Sequence, residues 1–308
     1  MKISIILPVL NEEGNIAPIY NKIRGVFSGS DYLYELIFVV DGDSSDRSEE
    51  IISGIIEKDH NVKLLVFTRN FGHMAALIAG FNYCTGDAAI TMDSDLQHPP
   101  ELIPELIKKW QEGYSIVNTL REDKDQKSIF KKYTSIFFYR LFSWFSEIPL
   151  ESGSADYRLV DRRVIDKINT LEEHDIFLRG MIHWLGFSSF SVAYRPHDRF
   201  QGQSKYSVRK LLRFAINGIT SFSVKPLKLV TFAGFFISAL TFIYLIITIY
   251  YALFYKIEVS GWASLMICVL FLGGIQLISI GILGEYVGKI FIETKKRPRY
   301  VVRQIKGF

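Results

Sequence analysis

Cysteine is nearly absent: Cys84 and Cys268 are the only two in 308 residues. That excludes a disulfide framework and a cysteine-based zinc site, and suits a reducing compartment. The Gly-x-Gly-x-x-Gly fingerprint of dinucleotide sites is missing, and so is the Gly-Lys-Ser/Thr loop of P-loop proteins, so neither phosphate cradle has support. Charge of one sign is not in surplus either. Lys+Arg number 36 against 32 Asp+Glu, a net +4, too slight to argue for a nucleic-acid partner. A secretory leader is not expected, because the apolar run after Met1 is short and gives way to Asn11-Glu12-Glu13; it reads as a buried first strand.

Charge is also missing locally, and there its absence is informative. Hydrophobic residues make up 49% and charged residues 22%, with a positive mean hydropathy of +0.17, so the apolar excess must be concentrated. From Leu229 to Tyr255 no Asp, Glu, Lys or Arg occurs. At ~1.5 Å per residue this stretch is long enough to cross a ~30 Å hydrocarbon layer. A second uncharged stretch, Val259 to Gly284, carries Gly273, Gly274, Gly281 and Gly284, small residues that let membrane helices approach closely. Only Lys256-Ile257-Glu258 separates the two. Lys225 and Lys228 precede the first, and Lys295, Lys296, Arg297, Arg299 and Arg303 follow the second. The positive-inside rule then places both termini and the large N-terminal region in the cytoplasm of a multi-pass cell-membrane protein.

Two further segments have an interfacial character. In Ser207–Phe222, Val208, Leu211, Leu212, Ala215, Ile219 and Phe222 recur at helical spacing opposite Arg209, Lys210 and Arg213. This pattern suits a helix on an anionic membrane surface, or an amphipathic helix packed on its own domain. Phe130–Phe145 is crowded with aromatic residues and carries Lys131, Lys132 and Arg140.

The first 120 or so residues alternate β-rich runs with helical patterns. Strands are predicted at Ile3–Val9, Glu35–Val40, Val62–Thr68, Ala88–Met92 and Ser115–Thr119, an order that implies a mostly parallel sheet with helices on both faces. Ligands of such sheets bind at the carboxyl ends of the strands. Acidic clusters stand at three of those ends: Asn11-Glu12-Glu13, Asp41-Gly42-Asp43 and Asp93-Ser94-Asp95. Carboxylates repel a phosphate-bearing ligand unless a divalent cation stands between, and an Asp-x-Asp pair at a strand end is a reasonable holder of Mg²⁺ or Mn²⁺. His73 and His98 lack the partner spacing of a metal site and read as structural, and Met74–Ala79 reads as helix core.

The motifs Pro8-x-x-Asn11-Glu12-Glu13, Arg69-Asn70-Phe71-Gly72, Gly86-Asp87, Asp93-Ser94-Asp95-Leu96-Gln97, Asp156-Tyr157-Arg158-Leu159 and Gln201–Tyr206 together resemble the polyisoprenyl-phosphate glycosyltransferases. These are inverting family 2 enzymes of GT-A fold, related to the dolichol-phosphate mannose synthases. The resemblance continues through Leu272–Gln276, Gly284-Glu285-Tyr286 and Glu293–Pro298 and is nearest to the bactoprenol glucosyltransferase branch. It implies an α/β chain with a Rossmann-like, mostly parallel GT-A sheet, followed by interfacial helices and two transmembrane helices. The implied division is a cytoplasmic catalytic domain over 1–206, a juxtamembrane amphipathic helix over 207–225, a two-helix membrane region over 226–290 and a basic cytoplasmic tail over 291–308.

The activity implied is transfer of a hexose, foremost glucose from UDP-glucose, to undecaprenyl or another polyprenyl phosphate. UDP-GlcNAc, GDP-mannose or a modified pentose are alternative donors, and a catalytically silent nucleotide-sugar scaffold is the alternative of another class. By the resemblance, Asp95 with Asp93 holds Mg²⁺ or Mn²⁺, and Asp156 is the further catalytic acid. Pro8, Asn11, Glu12, Asp41, Asp93, Gln97, Arg199 and Lys205 serve the donor; Arg121, Lys131 and Ser135 are nominated for the acceptor phosphate. The family's usual acid-acid-Gly-Ser after the second strand stands here as Asp41-Gly42-Asp43-Ser44. Either Asp41 or Asp43 could therefore serve the nucleotide, Asp41 being nearer the strand. The acceptor phosphate, with a second pKa near ~6, is already mostly ionised at neutral pH and requires no strong base. A homo-oligomer, a tetramer in the resembled branch, is the expected assembly.

Overall fold

The computed structural model describes residues 1–122, 153–174, 177–196, 220, 223–255 and 261–308. Alternating apolar strands and amphipathic helices build a layered α/β body. Its strands are β1 (Lys2–Val9), β2 (Leu33–Val40), β3 (Val62–Phe67), β4 (Ala88–Thr91), β5 (Ile116–Arg121), β6 (Ser154–Asp161), β7 (Ser189–Tyr194) and β8 (Val302–Lys306). They form one sheet in the order β7-β5-β6-β4-β1-β2-β3-β8. Strands β1 to β4 run parallel, β6 is antiparallel to both β4 and β5, and β8 is antiparallel to β3. The mostly parallel α/β class predicted from the sequence is the one observed.

Period-two alternation assigns the faces. Ile3, Ile5 and Leu7 of β1 and Leu36, Phe38 and Val40 of β2 are buried on one face, beneath α1 (Glu13–Phe27), α2 (Ser48–Ile56) and α4 (Ile103–Gln111). Ile6, Ile37, Val39, Leu65 and Phe67 point to the other, against α3 (His73–Tyr83), α5 (Arg162–Thr170) and α6 (Leu178–Trp184). The predicted core segment after Met74 is buried there from Ala75 to Ala79. Strand order reverses at β1, which lies between β2 and β4. The crevice outside its carboxyl end is the place such sheets reserve for ligands.

Two long helices follow, α7 (Lys225–Tyr255) and α8 (Trp262–Thr294). Each holds a 27-residue window long and apolar enough to cross a membrane, with none of either window buried. Helix α8 continues beyond the uncharged stretch to include Glu285, Lys289 and Glu293. The basic segment 291–308, expected as a tail, returns to the sheet: Leu64 to Phe67 of β3 pair with Lys306 to Val302 of β8, and Tyr300 stacks on Phe67. The expected interfacial helices fall mostly on residues outside those described.

Candidate active site

The loops after β1 and β2 are tied to one another before any ligand is considered. Asn11 adopts a left-handed φ of 57°, a conformation that a short amide side chain tolerates. Its Oδ1 accepts the Ser45 N–H at 2.8 Å, and its own N–H donates to Ser44 Oγ at 3.1 Å. The Glu12 N–H donates to Ser48 Oγ, while Glu13 N–H reaches Asp46 Oδ2 at 2.8 Å. The Asn11-Glu12-Glu13 cluster thus fixes one loop against the other.

Asp41 directly follows β2 and is buried, whereas Asp43 is exposed. Burial pushes the Asp41 carboxyl up, and the nearby Asp43 charge adds to this; N–H groups of Asp43 and Gly72 pull against both. The Asp41-Gly42-Asp43 order has a packing reason. A Cβ on Gly42 would lie 2.3 Å from the Arg69 nitrogen and 2.7 Å from the Phe67 carbonyl oxygen, so the backbone after β3 passes where any side chain would stand.

β4 delivers Asp93-Ser94-Asp95 to the switch point. Ser94 Oγ donates to the Pro8 carbonyl at 2.8 Å, locking this loop to the end of β1. Leu96 has φ 64°, and the Gln97 N–H donates to Asp95 Oδ1 at 3.1 Å. Asp95 is buried, while the Asp93 side chain is 40% exposed and faces two imidazoles. The Asp93 N–H donates to His98 Nδ1 at 2.9 Å, which leaves the ring proton on Nε2, 3.7 Å from Asp93 Oδ2. Burial lowers the His98 pKa against the pull of Asp93, Asp95 and Asp156, and the ring stacks on Tyr157. A neutral, structural histidine at this position agrees with the reading from sequence.

His73 departs from that reading. It opens α3 after Gly72, whose φ of 88° turns the chain into the helix, and its side chain is 39% exposed. Its Nε2 lies 3.6 Å from Asp93 Oδ1 and 3.8 Å from Asp156 Oδ2, so one imidazole spans the two acids. Asp156, on β6, is clamped by Arg179 of α6 at 2.8 and 2.9 Å, with Arg158 at 3.4 Å. Burial would raise its pKa; Arg179 first, then Arg158 and His73, overcome that and hold the carboxyl well below the usual range. Burial in turn pushes the enclosed Arg158 guanidinium down to about 10. Arg179 escaped the sequence reading. Its only signal is a cation inside the apolar run Phe177–Ile182.

Arg121 is exposed at the end of β5, with Nη1 3.5 Å from Gln97 Oε1. The structure therefore brings Asp41, Asp93, Asp95, Gln97, Arg121 and Asp156 to one mouth of the sheet with the loop Pro8–Glu12. Arg199, Lys205, Lys131 and Ser135 lie outside the described residues. Among the described residues no three His, Cys, Asp or Glu side chains form a closed cage for a metal. Asp93 and Asp95 stand two residues apart in the loop after β4, and carboxylate oxygens are the donors that hard divalent cations take.

A family model described as glycosyl transferase family 2 matches residues 4–168, and one described as the GtrB C-terminal hairpin matches residues 225–290. End to end, the chain is 42% identical over 304 residues to an uncharacterized glycosyltransferase, YkcC, of Bacillus subtilis, covering 99% of this chain and 94% of that one. It is 41% identical over 306 residues to a prophage bactoprenol glucosyl transferase homolog of Escherichia coli, covering 99% and 100%. The same identity, length and coverage relate it to a bactoprenol glucosyl transferase of Shigella phage SfX.

Proposed function

From the premise that the chain belongs to glycosyl transferase family 2 and carries the GtrB C-terminal hairpin, we propose that it transfers glucose from UDP-glucose to a polyprenyl phosphate. The observation that carries this reading is the convergence of Asp93, Asp95 and the His73–Asp156–Arg179 cluster at one sheet edge, on a chain that continues into two apolar helices. Full-length relatives named bactoprenol glucosyl transferase support the lipid acceptor.

Cleaving the bond between sugar and UDP places negative charge on the departing diphosphate, and catalysis depends on countercharge already in place. Asp95 and Asp93 would hold Mg²⁺ or Mn²⁺, hard ions that accept carboxylate oxygens and keep room for phosphate and water. Bound there, the ion supplies Lewis-acid stabilisation of the leaving group. Asp41, buried at the end of β2, is assigned to the nucleoside, and Gln97 with Arg121 to the phosphate end of the donor.

The state of Asp156 fits the acceptor. A carboxylate held ionised by a two-point arginine clamp is a poor proton acceptor, and a phosphate monoester has little proton to lose near neutral pH. Asp156 therefore acts as a fixed negative charge that orients His73 and the sugar. Attack by the lipid phosphate on the face opposite the leaving diphosphate inverts the anomeric centre. The helices α7 and α8 anchor the enzyme, with both termini cytoplasmic, and the glycine-bearing α8 is assigned to contacts within a homo-oligomer. Incubating the purified protein with a panel of nucleotide sugars and undecaprenyl phosphate tests the reading: UDP-glucose should give lipid-linked sugar, and preference for another donor would reassign the substrate.

A further inference from the structure

Helix α8 ends against the sheet domain. Glu293, in its last turn, accepts the His174 N–H on both carboxylate oxygens, at 2.9 and 3.0 Å. The C-terminal end of a helix favours cations and disfavours an acid, and the chain just beyond is Lys295-Lys296-Arg297. The stability of α8 itself therefore gives no reason for a carboxylate at 293. Its partner is a backbone N–H 119 residues earlier in the chain.

Neighbouring contacts hold the same stretch. Arg299 donates to the Leu171 carbonyl, and its guanidinium also faces Glu173, Glu293 and Glu172. Burial, and then the Glu293 charge, raise the Glu173 pKa while Arg299 pulls the other way. Lys296 lies 3.8 Å from Glu172, an exposed pair that adds little. Leu171 to His174 follow α5 and precede α6, so the chain leaving α8 grips the connection between two helices that pack on one face of the sheet. That grip has a fixed base. Tyr300 stacks on Phe67 and accepts from Asn82 Nδ2 at 2.8 Å, the Val301 carbonyl accepts the Thr68 N–H at 3.0 Å, and β8 then pairs with β3. Residues 293–301 thus brace the connection, with α8 at one end and the sheet at the other.

What the brace supports is the Asp156 clamp. Arg179 stands five residues after His174, in the first turn of α6, and its fork meets Asp156 at 2.8 and 2.9 Å. Asp156 belongs to β6 and is fixed by the sheet. A retreat of α6 by ~1 Å would therefore carry the fork beyond hydrogen-bond distance. We propose that Glu293 is a positioning residue for the transfer reaction: through the His174 N–H it fixes the start of α6, and with it the seat of the Arg179 fork on Asp156. This deepens the proposed function and rests on its assignment of Asp156. It also joins α8, the second candidate span, to the acid at the site.

The test uses the full-length protein in detergent, with sugar transfer, melting temperature and amide exchange measured on the same preparations. Glu293→Ala should lower kcat/KM about tenfold, less than Arg179→Met, and move the acid limb of the profile to higher pH, the direction expected for Arg179→Met. The charges that face Asp156 (Arg179, Arg158 and His73) and those that face Glu293 (Arg299 and Glu173) are untouched by this single substitution. Glu293→Gln keeps an oxygen for the His174 N–H and should lose only about threefold. In an Arg179→Met background, Glu293→Ala should cost less than about twofold more, because a residue that acts through Arg179 has nothing left to position. Exchange should quicken at His174 and along α6 but not in β1 or β2. If Glu293→Ala melts well below wild type, Glu293→Gln carries the comparison, with a loss that vanishes in the Arg179→Met background. Additive losses, an acid limb that stays in place, or unaltered exchange at His174 overturns the proposal. A wild-type protein that transfers no sugar from any nucleotide sugar, while exchange at His174 and α6 still responds to Glu293→Ala, would refute the functional reading and leave the placement of Arg179 upheld. Normal transfer with an unmoved limb in Glu293→Ala would refute the positioning role alone.

Discussion

Arg179 grips Asp156 at two points, Nε to Oδ1 at 2.8 Å and Nη2 to Oδ2 at 2.9 Å, joining a short helix to a strand 23 residues earlier in the chain. The fork matches a carboxylate as a lysine cannot. His73 Nε2 stands 3.8 Å from Oδ2 of the same carboxylate. The clamp therefore sets both the charge of Asp156 and the direction in which it faces.

Removing the clamp should alter the pH dependence as well as the rate. Burial favours the neutral carboxyl, and Arg179 is the largest influence against it. In wild-type protein the carboxylate persists well into acid, because its folded pKa is depressed, and is lost only as pH falls through that low value. In Arg179→Met burial acts with less opposition, the pKa climbs, and the acid limb of the kcat/KM profile should move to higher pH. Activity at neutral pH should fall on the order of 10²-fold, and Arg179→Lys should lie between. A reduced rate with an unmoved acid limb would limit Arg179 to packing.

The paired aspartates make a metal prediction. Asp95→Ala should abolish transfer while leaving the thermal melting transition within a few degrees of wild type, and chelation by EDTA should silence the wild-type enzyme until Mg²⁺ or Mn²⁺ is restored. Asp93, half-exposed between two imidazoles, should retain a small residual rate as Asn. Full activity of Asp95→Ala, or indifference to EDTA, contradicts the assignment.

Gly42 should tolerate no side chain. A methyl group there meets backbone atoms of Arg69 and Phe67 at 2.3 to 2.7 Å, and backbone cannot rotate away. Gly42→Ala should lose about 1–3 kcal/mol of stability and raise the KM for the nucleotide sugar through displacement of Asp41. Denaturant unfolding and donor kinetics read the two effects separately.

Glu35 offers a prediction away from the site. It is buried and accepts hydrogen bonds from Ser4, Thr85 and Lys63, with Lys2 Nζ at 2.6 Å. Burial would raise its pKa, but Lys2 and Lys63 with these donors bring it to about 2. Because the folded value lies below the unfolded one, the stability it contributes is complete above the unfolded pKa and disappears as pH falls toward about 2. Glu35→Gln should cost about 1–3 kcal/mol at neutral pH, since it leaves the partly buried Lys63 without its carboxylate, while water screens the more exposed Lys2. It should also flatten the acid decline in melting temperature. A melting curve with the same acid slope in both proteins would count against this account.

The parallel half of the sheet was legible because its strands are short apolar runs bounded by turns, and Asp93, Asp95 and Asp41 could be placed at its edge by chain order alone. β6 was not, because Asp156 and Arg158 interrupt its apolar pattern with charges that are satisfied only after folding, by Arg179 and by each other. β8 is five residues of alternating basic and apolar character and reads as a tail until β3 is there to pair with it. His73 looked structural for a similar reason. Nothing within its own stretch of sequence reveals that Asp93 and Asp156 come to it from two different strands. The two long apolar helices, by contrast, depend on composition over one continuous segment, and their presence was readable directly.

The most direct measurement incubates the purified full-length protein with radiolabelled UDP-glucose, undecaprenyl phosphate and Mn²⁺, then counts label in the organic-extractable lipid. The account predicts labelled lipid that disappears when the metal is chelated or when undecaprenol replaces its phosphate. No labelled lipid with UDP-glucose or any other nucleotide sugar, or equal labelling of the alcohol, would contradict it.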